Sequence, residues 1–387
     1  MLIIKIIQII LLIYLGFASL YIFIFGFASL FPARKKKAIT SDMRKYAVLI
    51  PGYKEDQVII EVAKDALNQD YPKELYDVIV IADSFKNETL TELRKLPIQV
   101  IEVSFELSTK SKALNEAMAQ LPGVYDVAIV LDADNLMEAD FTTKINESFN
   151  KGYIAVQGHR IAKNNNTPFA ILDAISEEVN NKIFRKGHRV LGFSAALIGS
   201  GMAMDYNYFK TMMKSIKAVG GFDKEIELQM LKEGIRIEFL NDAIVYDEKV
   251  QKAEVFSNQR KRWLSAQLHY FSMDFLNSLK HLILYGNYDY FDKAIQFIQP
   301  PRVMLLGLLF LINIISIILN PAECVNMWLG VLAICILTFI VTIPLKFYNF
   351  NTLKAVLTLP KAFVLIILSL LKIKGANKKF IHTEHGT

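Results

Sequence analysis

The chain has 387 residues, 53% of them hydrophobic and 21% charged, and a formal net charge of +6. This hydrophobic share is too high for an ordinary soluble protein, and the excess lies near the two ends of the chain. The basic residues gather beside these apolar ends, which fits anionic lipid headgroups and argues against a nucleic-acid partner. Both cysteines, Cys324 and Cys335, fall at or inside an apolar run, so neither a structural disulfide nor a zinc site is expected.

The first element in the chain is an apolar run without charge at residues 6–31. A helix needs about 20 such residues to cross a bilayer, whereas a signal peptide has a shorter apolar core and a small-residue cleavage site. Four basic residues follow at 34–37. The pattern predicts that residues 1–32 are a retained membrane anchor. Because positive charge stays on the cytoplasmic side, the chain after Pro32 should be cytoplasmic.

Residues 45–275 are predicted to form one α/β domain in which strand and helix signals alternate. Strands are expected at 46–51, 76–83, 98–103 and 126–134, and helices at 57–69 and 110–121. Uninterrupted Val, Ile and Ala strands separated by helices indicate a mostly parallel sheet covered by helices. Ligands bind such sheets at the carboxyl ends of the strands. One edge should therefore collect the polar residues at these ends: Pro51–Asp56, Asp83, Asp132 and Asp134.

Asp132 and Asp134 are candidate metal ligands because residues i and i+2 of an extended segment point the same way. Two carboxylates so placed repel each other unless a cation lies between them, and oxygen ligands suit Mg²⁺ or Mn²⁺. A capped polar turn explains the pair equally well. Asp83 is either a strand-end cap or an acceptor for the N–H of a base or a ribose hydroxyl. Lys110 is either a solvated lysine or a hydrogen-bond donor to phosphate at a helix N-terminus.

Two further segments carry candidate chemistry. An amphipathic helix is predicted at 224–233, and the acidic residues near its start, which include Asp223 and Glu225, either complement the helix dipole or provide a general base. In the sequence QRKRW, which ends at Trp263, Arg262 can bind a diphosphate and the indole can stack under a sugar ring. The alternative for this segment is a basic amphipathic helix that lies on the membrane.

Two apolar runs near the end of the chain, 303–319 and 325–345, predict two transmembrane helices within residues 301–346. The loop between them has no lysine or arginine and should face outward. Lys346 should then return the chain to the cytoplasm.

The segments on either side of these helices are expected at the membrane surface. Residues 276–300 are predicted to be interfacial. In the C-terminal region 350–387, Pro360 interrupts the apolar stretch 355–371. This stretch is therefore either a third C-terminal span or a membrane-associated helix followed by a tail.

Taken in order, the motifs resemble those of a membrane-bound family 2 glycosyltransferase, the group that includes cellulose, chitin, hyaluronan and poly-N-acetylglucosamine synthases. The resemblance covers residues 46–275 and the flanking apolar runs. It rests on VLIPGYKED, VIVIADSF, KSKALN, LDADN, IGSGMAM and QRKRW, the last of which matches the Q-x-x-R-W motif outright. The ending FIHTEH at 380–385 also resembles a tail of some members. The resemblance implies a GT-A fold, that is, a nucleotide-diphospho-sugar transferase domain, flanked by transmembrane helices.

The resemblance also implies roles for individual residues. A Mg²⁺ or Mn²⁺ ion would be held by Asp134 and Asp132, and the acceptor would contact Trp263 and Gly201. The nucleotide-sugar donor would be bound by Tyr53, Glu55, Asp83, Lys110, Asp132, Gln259 and Arg262.

Two departures from the family pattern concern the site. The asparagine that usually follows the tyrosine of the first motif is Lys54 here. The usual Thr-Glu-Asp before the acceptor-side helix, aligned on the following Glu-Leu, is Asp223-Lys224-Glu225 in this chain. Glu225 would therefore be the general base, with Asp223 as its rival.

We therefore expect an inverting glycosyltransferase that moves a sugar from a nucleotide sugar, with UDP-sugars as the leading donors, to a glycan acceptor in synthase-like elongation. Only three or four spans are predicted, which are too few for a pore within one monomer. Single transfer to a membrane lipid is therefore the alternative, and elongation would require export through a homo-oligomer or a partner. An inactive nucleotide-binding regulatory relative is the third interpretation. The expected location is a bacterial inner membrane, with the catalytic domain in the cytoplasm.

Overall fold

The computed structural model of the chain describes residues 2–34, 36–216, 218, 220–251, 253–319 and 322–371. The tail at 380–385, on which part of the resemblance rests, lies outside the described residues. Within them, eight strands form a single sheet: β1 (Tyr46–Tyr53), β2 (Tyr76–Asp83), β3 (Gln99–Val103), β4 (Val127–Val130), β5 (Leu136–Met137), β6 (Ala155–Ala162), β7 (Met202–Asp205) and β8 (Glu238–Asp247).

The helices cover the sheet and extend from it at both ends of the described chain. A π-helical segment, Asn181–Gly187, joins two of them, α6 and α7, into one continuous rod. The α-helices are α1 (Leu2–Ala28), α2 (Ile59–Ala66), α3 (Asn87–Leu93), α4 (Lys110–Gln120), α5 (Phe141–Asn150), α6 (Pro168–Asn180), α7 (His188–Val190), α8 (Tyr206–Met213), α9 (Phe222–Lys232), α10 (Ala253–Tyr285), α11 (Tyr288–Ile298), α12 (Arg302–Leu319), α13 (Ala322–Thr342), α14 (Phe350–Val356) and α15 (Leu359–Leu371).

The sheet is mixed, with the strand order β3-β2-β1-β4-β7-β6-β8-β5. β1 is parallel to β2 and β4, β2 to β3, and β6 to β8. β7 is antiparallel to β4 and β6, and β5 is antiparallel to β8. The predicted α/β fold is confirmed, and the four predicted strands correspond to β1, β2, β3 and β4. β7 has four residues and β5 has two, so these antiparallel strands leave little periodic signal in the sequence.

Strand β1 shows why a run of apolar residues forms the centre of this sheet. Successive side chains of a strand point to opposite faces. Ala47 and Leu49 pack into the core beneath α4, α8 and α9, whereas Tyr46, Val48 and Ile50 pack into the core beneath α2 and α5. Both faces are therefore buried, and the strand has no polar face to alternate with its apolar one.

The rod formed by α6, the π-helix and α7 joins the sheet to the N-terminal helix. The side chain of Thr167 caps α6, and Pro168 occupies its first turn, where its missing N–H costs nothing. At the other end, a Cβ atom on Gly187 would lie 2.0 Å from the carbonyl oxygen of Phe25 in α1. Only glycine allows this close approach, which brings α1 directly against the π-helix.

Helix α10 is long, with 33 residues, and contains the QRKRW sequence near its start. The predicted domain end at residue 275 falls inside α10, which continues to Tyr285. Helix α11 then packs back along α10 and occupies much of the segment 276–300 predicted to be interfacial. The division of the chain into these segments stays a prediction.

Within the described part of the chain, two helices are long and apolar enough to cross a membrane: Lys5–Ala28 within α1 and Val325–Thr342 within α13. Two bent pairs also pass this criterion when each pair is counted as one span, and the described residues then hold up to four. One pair is α11 with α12, bent by 57° at Gln299-Pro300-Pro301. The other is α14 with α15, bent by 40° shortly before Pro360. Proline explains both bends because it cannot donate a helical hydrogen bond.

We expect Gly187→Ala to loosen the contact between α1 and the π-helix. The added methyl group meets backbone rather than a flexible side chain, so overpacking should lower the free energy of unfolding by about 1–3 kcal/mol. Thermal unfolding of the detergent-purified protein measures this effect. Gly330→Ala in α13 is the control, since its Cβ atom would meet nothing within 4 Å. Equal melting temperatures for the two variants would contradict the proposed close contact.

Candidate active site

Three carboxylates converge where β4 and β8 end. Asp132 and Asp134 follow β4, Asp247 is the last residue of β8, and an oxygen atom from each lies within 4.8 Å of the others. The sequence predicted Asp132 and Asp134 as a pair but did not predict Asp247. The only sequence signal for Asp247 is its place as an acidic residue at the end of an apolar strand. Asp247 reaches the site because β8 pairs with β6, which lies about 80 residues earlier in the chain.

The side chain of Asn135 holds two of these carboxylates in place. Its Nδ2 atom donates to Asp134 Oδ1 at 3.2 Å and to Asp247 Oδ1 at 3.1 Å, and its Oδ1 atom accepts from the backbone N–H of Asp132 at 3.2 Å. The backbone N–H of Glu248 donates to Asp134 Oδ2 at 3.0 Å. A polar turn is therefore present after β4, and this turn directs the carboxylates toward one another.

Three cations offset the charge of the carboxylates. Lys110 Nζ lies 2.5 Å from Asp132 Oδ1, and Lys249 Nζ lies 2.5 Å from Asp247 Oδ2. Arg160 Nη1 lies between the two, 3.6 Å from Asp132 Oδ2 and 3.3 Å from Asp247 Oδ1. Burial opposes the charge of Asp132, but Lys110 and Arg160 outweigh it and hold the pKa of this carboxyl below its usual range. The site is therefore charged at neutral pH.

A fourth carboxylate, that of Glu177 in α6, also belongs to this network. Its Oε1 atom lies 2.7 Å from Arg160 Nε, and its Oε2 atom forms an ion pair with Lys249. Burial opposes its charge, yet Arg160 and Lys249 hold its pKa below the usual range. Arg160, Glu177 and Lys249 were missed by sequence reasoning, because nothing in the local pattern distinguishes a buried ion pair from surface charges.

The donor set fits a hard divalent cation. Three carboxylate oxygens on buried or half-buried side chains are the ligand type that Mg²⁺ and Mn²⁺ prefer. Lys110, Arg160 and Lys249 already partly neutralise these oxygens, so an incoming ion competes with ammonium and guanidinium groups for them. Asp134 and Asp132, the two predicted ligands, are both members of the cluster.

The ends of β1 and β2 form the adjoining part of the same edge. Asp83 is 1% exposed; Ser84 Oγ donates to its Oδ1 atom at 2.9 Å, and its Oδ2 atom is buried with no partner among the described residues. Lys54, between the half-buried Tyr53 and Glu55, donates its backbone N–H to the Asp83 carbonyl at 3.1 Å. Both Lys54 and Ser84 have positive φ, a strained conformation that tends to occur at binding sites.

The glycine-rich loop at 199–201 leads into β7 and lies beside the end of β4, where it borders the site. Lys110, the first residue of α4, donates to the Gly199 carbonyl at 2.8 Å as well as to Asp132. Arg160 donates to Ser200 Oγ at 3.3 Å, so the loop is tied to the same cations as the carboxylates. Gly199 and Gly201 both have positive φ, which explains why glycine occupies these positions.

The two candidate bases occupy different surroundings at the start of α9. Asp223 is buried and packs on Gly199, since a Cβ atom there would lie 3.6 Å from the Asp223 Cγ atom. Glu225 is half-buried, and its charge, like that of Asp223, is felt by Tyr270 of α10. Of the two, Asp223 packs against the loop whose carbonyl binds Lys110.

The QRKRW sequence borders a cavity between α6 and α10. Gln259, Arg260 and Trp263 line its α10 side, and the other side includes Arg160, Asp173, Ser176, Glu177, Asn180 and Lys249. The Gln259 Oε1 atom is buried without a partner among the residues the structure describes, and Trp263 is 36% exposed.

Arg260, which was not predicted as a site residue, contacts both sides of this cavity. Its Nη2 atom lies 2.5 Å from Asp173 Oδ1, and its Cζ atom lies 4.4 Å from the centre of the Trp263 ring. Arg262, the predicted diphosphate ligand, is half-buried, and burial lowers its pKa.

Residues 44–266 match the sequence model of a family described as "Glycosyltransferase like family 2". The match covers more than half of the chain, and the chain therefore belongs to this family. It is a glycosyltransferase with the GT-A fold.

Curated relatives of the chain are also glycosyltransferases. A β-monoglucosyldiacylglycerol synthase of Nostoc sp. is 26% identical over 246 residues, which are 60% of this chain and 51% of that protein. An N-acetylglucosaminyltransferase of Rhizobium meliloti is 25% identical, with coverage of 56% and 54%. The chain thus spans about half the length of the curated relatives it matches.

A solved structure with similarity to this one is the mannosyltransferase of Pyrobaculum calidifontis in complex with GDP-Man and Mn²⁺. It has a TM-score of 0.54 and 16% sequence identity, and the match covers 86% of this chain and 98% of that chain. This similarity shows a shared fold.

We expect Arg160→Met to destabilise the protein and to make it more sensitive to acid. Removing one partner of a buried ion network costs about 3–5 kcal/mol. The depressed pKa values of Asp132, Glu177 and Asp247 mean that these carboxylates stabilise the fold above their unfolded pKa of about 4, and that this stability is lost as pH falls. Without Arg160 their pKa values rise, so the loss should begin at higher pH.

Apparent melting temperatures at a series of pH values between about 7 and 4 would measure both effects. Arg94→Met is the matched control, since Arg94 forms an exposed ion pair with Glu102, and such pairs contribute about 0–1 kcal/mol. Equal acid sensitivity of the two variants would contradict the role assigned to Arg160.

Proposed function

We propose that the protein is an inverting, membrane-bound glycosyltransferase that moves a sugar from a UDP-sugar to an acceptor at the membrane surface. The proposal is supported chiefly by one observation: Asp132, Asp134 and Asp247 converge beside Lys110 and Arg160. The site thereby combines oxygen ligands for a metal with cations for a diphosphate.

The donor would lie across the ends of β1, β2 and β4. The Asp83 Oδ2 atom, which has no partner among the described residues, supports this arrangement because it can accept an N–H of the base. Ser84 Oγ donates to the other carboxylate oxygen, and the Lys54 backbone N–H donates to the Asp83 backbone carbonyl. Tyr53 and Glu55 border the same position. When bound, a Mg²⁺ or Mn²⁺ ion on Asp132, Asp134 and Asp247 would neutralise the charge that develops on the departing diphosphate. Lys110, Arg262 and Gln259 would add donors to the phosphates or the sugar.

Asp223 is proposed as the general base, and Glu225 is the alternative. Burial beside Gly199 supports Asp223, because that loop borders the cations expected to hold the diphosphate. The Asp223 carboxylate would take the proton of the acceptor hydroxyl as its oxygen attacks the anomeric carbon. The bond from that carbon to the diphosphate breaks in the same step, and the diphosphate leaves with the electron pair. Attack from the side opposite the leaving group inverts the anomeric configuration.

A lipid-anchored acceptor is favoured over an elongating glycan chain. The cavity wall at Ser176 and Asn180 is bonded to Arg302, the first residue of α12, so the cavity adjoins a candidate membrane helix. Among the relatives, the name of the Nostoc protein indicates a lipid product. Elongation remains the second candidate, favoured by Gln259 and Trp263 of the Q-x-x-R-W motif on the cavity wall. Gly201 and Trp263 are the proposed acceptor contacts in both cases.

Membrane attachment through α1 and the C-terminal helices, with the sheet on the cytoplasmic side, is part of the proposal. It is supported by the length and apolar character of α1 and α13 and by the basic residues that follow α1. A homo-oligomer or an export partner is required only in the elongating version.

We expect Asp134→Asn to reduce nucleotide release from the nucleotide sugar about a hundredfold or more, because the metal site loses a charged ligand. The measurement is release of UDP or GDP by detergent-purified protein from a panel of sugar donors with Mn²⁺. Asp70→Asn removes an exposed carboxylate away from the site and should match the wild type. An Asp134→Asn protein with wild-type turnover would disprove the metal assignment.

We expect Asp223→Asn to reduce sugar transfer about 10²–10⁴-fold, because the acceptor hydroxyl loses its base. UDP affinity, measured by calorimetry, should stay within a few-fold of the wild type. The matched variant Glu225→Gln should retain transfer. The reverse result, with transfer lost in Glu225→Gln and kept in Asp223→Asn, would make Glu225 the base.

A further inference from the structure

The turn between α11 and α12 contains a glutamine, Gln299, whose side-chain amide is buried without a hydrogen-bond partner among the described residues. Gln299 is 7% exposed, and both its Oε1 and Nε2 atoms are buried with no partner among the described residues. A buried amide that forms no hydrogen bond costs stability. Such a side chain is expected where a molecule other than the protein supplies the missing partners.

Arg302, three residues later, has a positive charge that no carboxylate balances among the residues described. Its Nη1 atom donates to Asn180 Oδ1 at 2.5 Å, and its Nη2 atom donates to the carbonyl and hydroxyl oxygens of Ser176 at 3.2 and 3.1 Å. All these acceptors are neutral. The guanidinium groups of Arg260 and Arg185 are close enough to repel it. A guanidinium with neutral partners and like-charged neighbours favours an anion.

The two residues are close in the chain, and Arg302 contacts the wall of the cavity between α6 and α10. Three residues of chain keep the Cα atoms of Gln299 and Arg302 within about 11 Å. Ser176 and Asn180, the partners of Arg302, both line the cavity. Gln267, one turn after Trp263 on α10, donates to the carbonyls of Phe297 and Gln299 at 2.7 and 2.9 Å. These contacts hold the turn against α10 and place the start of α12 beside the cavity. Helix α12 belongs to a candidate membrane span.

The diphosphate of the donor does not account for this charge. Three other cations, Lys110, Arg160 and Lys249, lie at the carboxylate cluster where the diphosphate is proposed to bind. The proposed donor edge thus has cations of its own. Arg302, the first residue of α12, is not part of that network, since its hydrogen-bond partners are Ser176 and Asn180. An anion bound there would be held at the membrane end of the cavity.

We propose that Gln299 and Arg302 bind the phosphate-bearing headgroup of a lipid-anchored acceptor at the membrane end of the catalytic cavity. This assignment rests on the proposed function and names its acceptor class. The lipid chains would remain in the bilayer beside α12, and the headgroup would extend past Ser176 toward Trp263 and the candidate base. The phosphate would accept hydrogen bonds from the guanidinium, and the Gln299 amide would bond to a phosphate or hydroxyl oxygen.

The test uses the full chain in phosphatidylcholine vesicles with two photoactivatable probes, phosphatidic acid and diacylglycerol, which differ only in the phosphate. We expect the phosphatidic acid probe to label the start of α12. Arg302→Gln should reduce this labelling about tenfold and leave diacylglycerol labelling unchanged. Arg34→Gln removes an exposed charge near the end of α1 and should leave both unchanged. Labelling that is equal for the two probes, or insensitive to Arg302→Gln, would overturn the proposal.

Free inorganic phosphate separates a lipid headgroup from a site for any phosphate. We expect millimolar phosphate to leave the phosphatidic acid labelling unchanged, because the lipid chains hold the headgroup at the site. If phosphate abolishes the labelling, the site is a soluble-anion site, and the lipid assignment is wrong.

Gln299→Leu provides a second, independent variant. Because the amide has no partner among the described residues, leucine should keep or raise the melting temperature while it lowers phosphatidic acid labelling. A lower melting temperature with unchanged labelling would show that Gln299 has a structural role, and this would overturn its part in the site.

The labelling requires no sugar donor, so its outcome is separate from that of the proposed function. If the phosphatidic acid probe does not label the wild-type protein while nucleotide release is intact, only the acceptor class is refuted. Intact labelling with wild-type nucleotide release in Asp134→Asn would refute the metal assignment and leave the headgroup site standing.

Discussion

Three ionised carboxylates can lie within 4.8 Å of one another only when cations offset their repulsion. Lys110, Arg160 and Lys249 do this together, and Arg160 connects the network because it contacts Asp132, Asp247 and Glu177 at once. It comes from β6, while its partners come from the loop after β4, the end of β8 and α6. The same ion network therefore aligns two strand ends and a covering helix, and the shape of the site follows from it.

The network also ties the site to the helices that are candidates for the membrane. Glu177 belongs to α6, which continues through the π-helix to the contact of Gly187 with α1. Its neighbour Glu178 pairs with Lys346, just beyond α13, at 2.8 Å. On the other side, Glu227 of α9 pairs with Lys293 of α11 at 2.8 Å and accepts from the Leu197 backbone beside the glycine-rich loop. The carboxylates of the candidate site and the apolar helices are thus connected through ion pairs and close backbone packing.

Of the nine described residues that bury a polar side-chain atom without a partner, three lie where ligands are proposed. Asp83 Oδ2 lies at the proposed base position, Gln259 Oε1 on the cavity wall and the Gln299 amide at the membrane end of that cavity. The strained Lys54 and Ser84 adjoin the first of these. Such atoms and conformations cost stability, and at these three positions a bound ligand would compensate the cost. These three positions extend from the proposed nucleotide site to the start of α12, where the lipid headgroup is proposed to bind.

The sequence by itself determined the α/β class, the family motifs and the apolar runs, because each depends on residues close together in the chain. Strand β2 was predicted with its observed bounds, and Asp132, Asp134 and Asp83 were assigned to the correct edge of the sheet, because parallel strands end on one side. Only the tertiary structure decided the antiparallel insertion of β7 and the arrival of Asp247, Arg160, Glu177 and Lys249 at the site. It also distinguished the surroundings of Asp223 and Glu225 and revealed the unbalanced charge of Arg302. These features depend on contacts between distant segments, and such contacts leave no periodic pattern in the sequence.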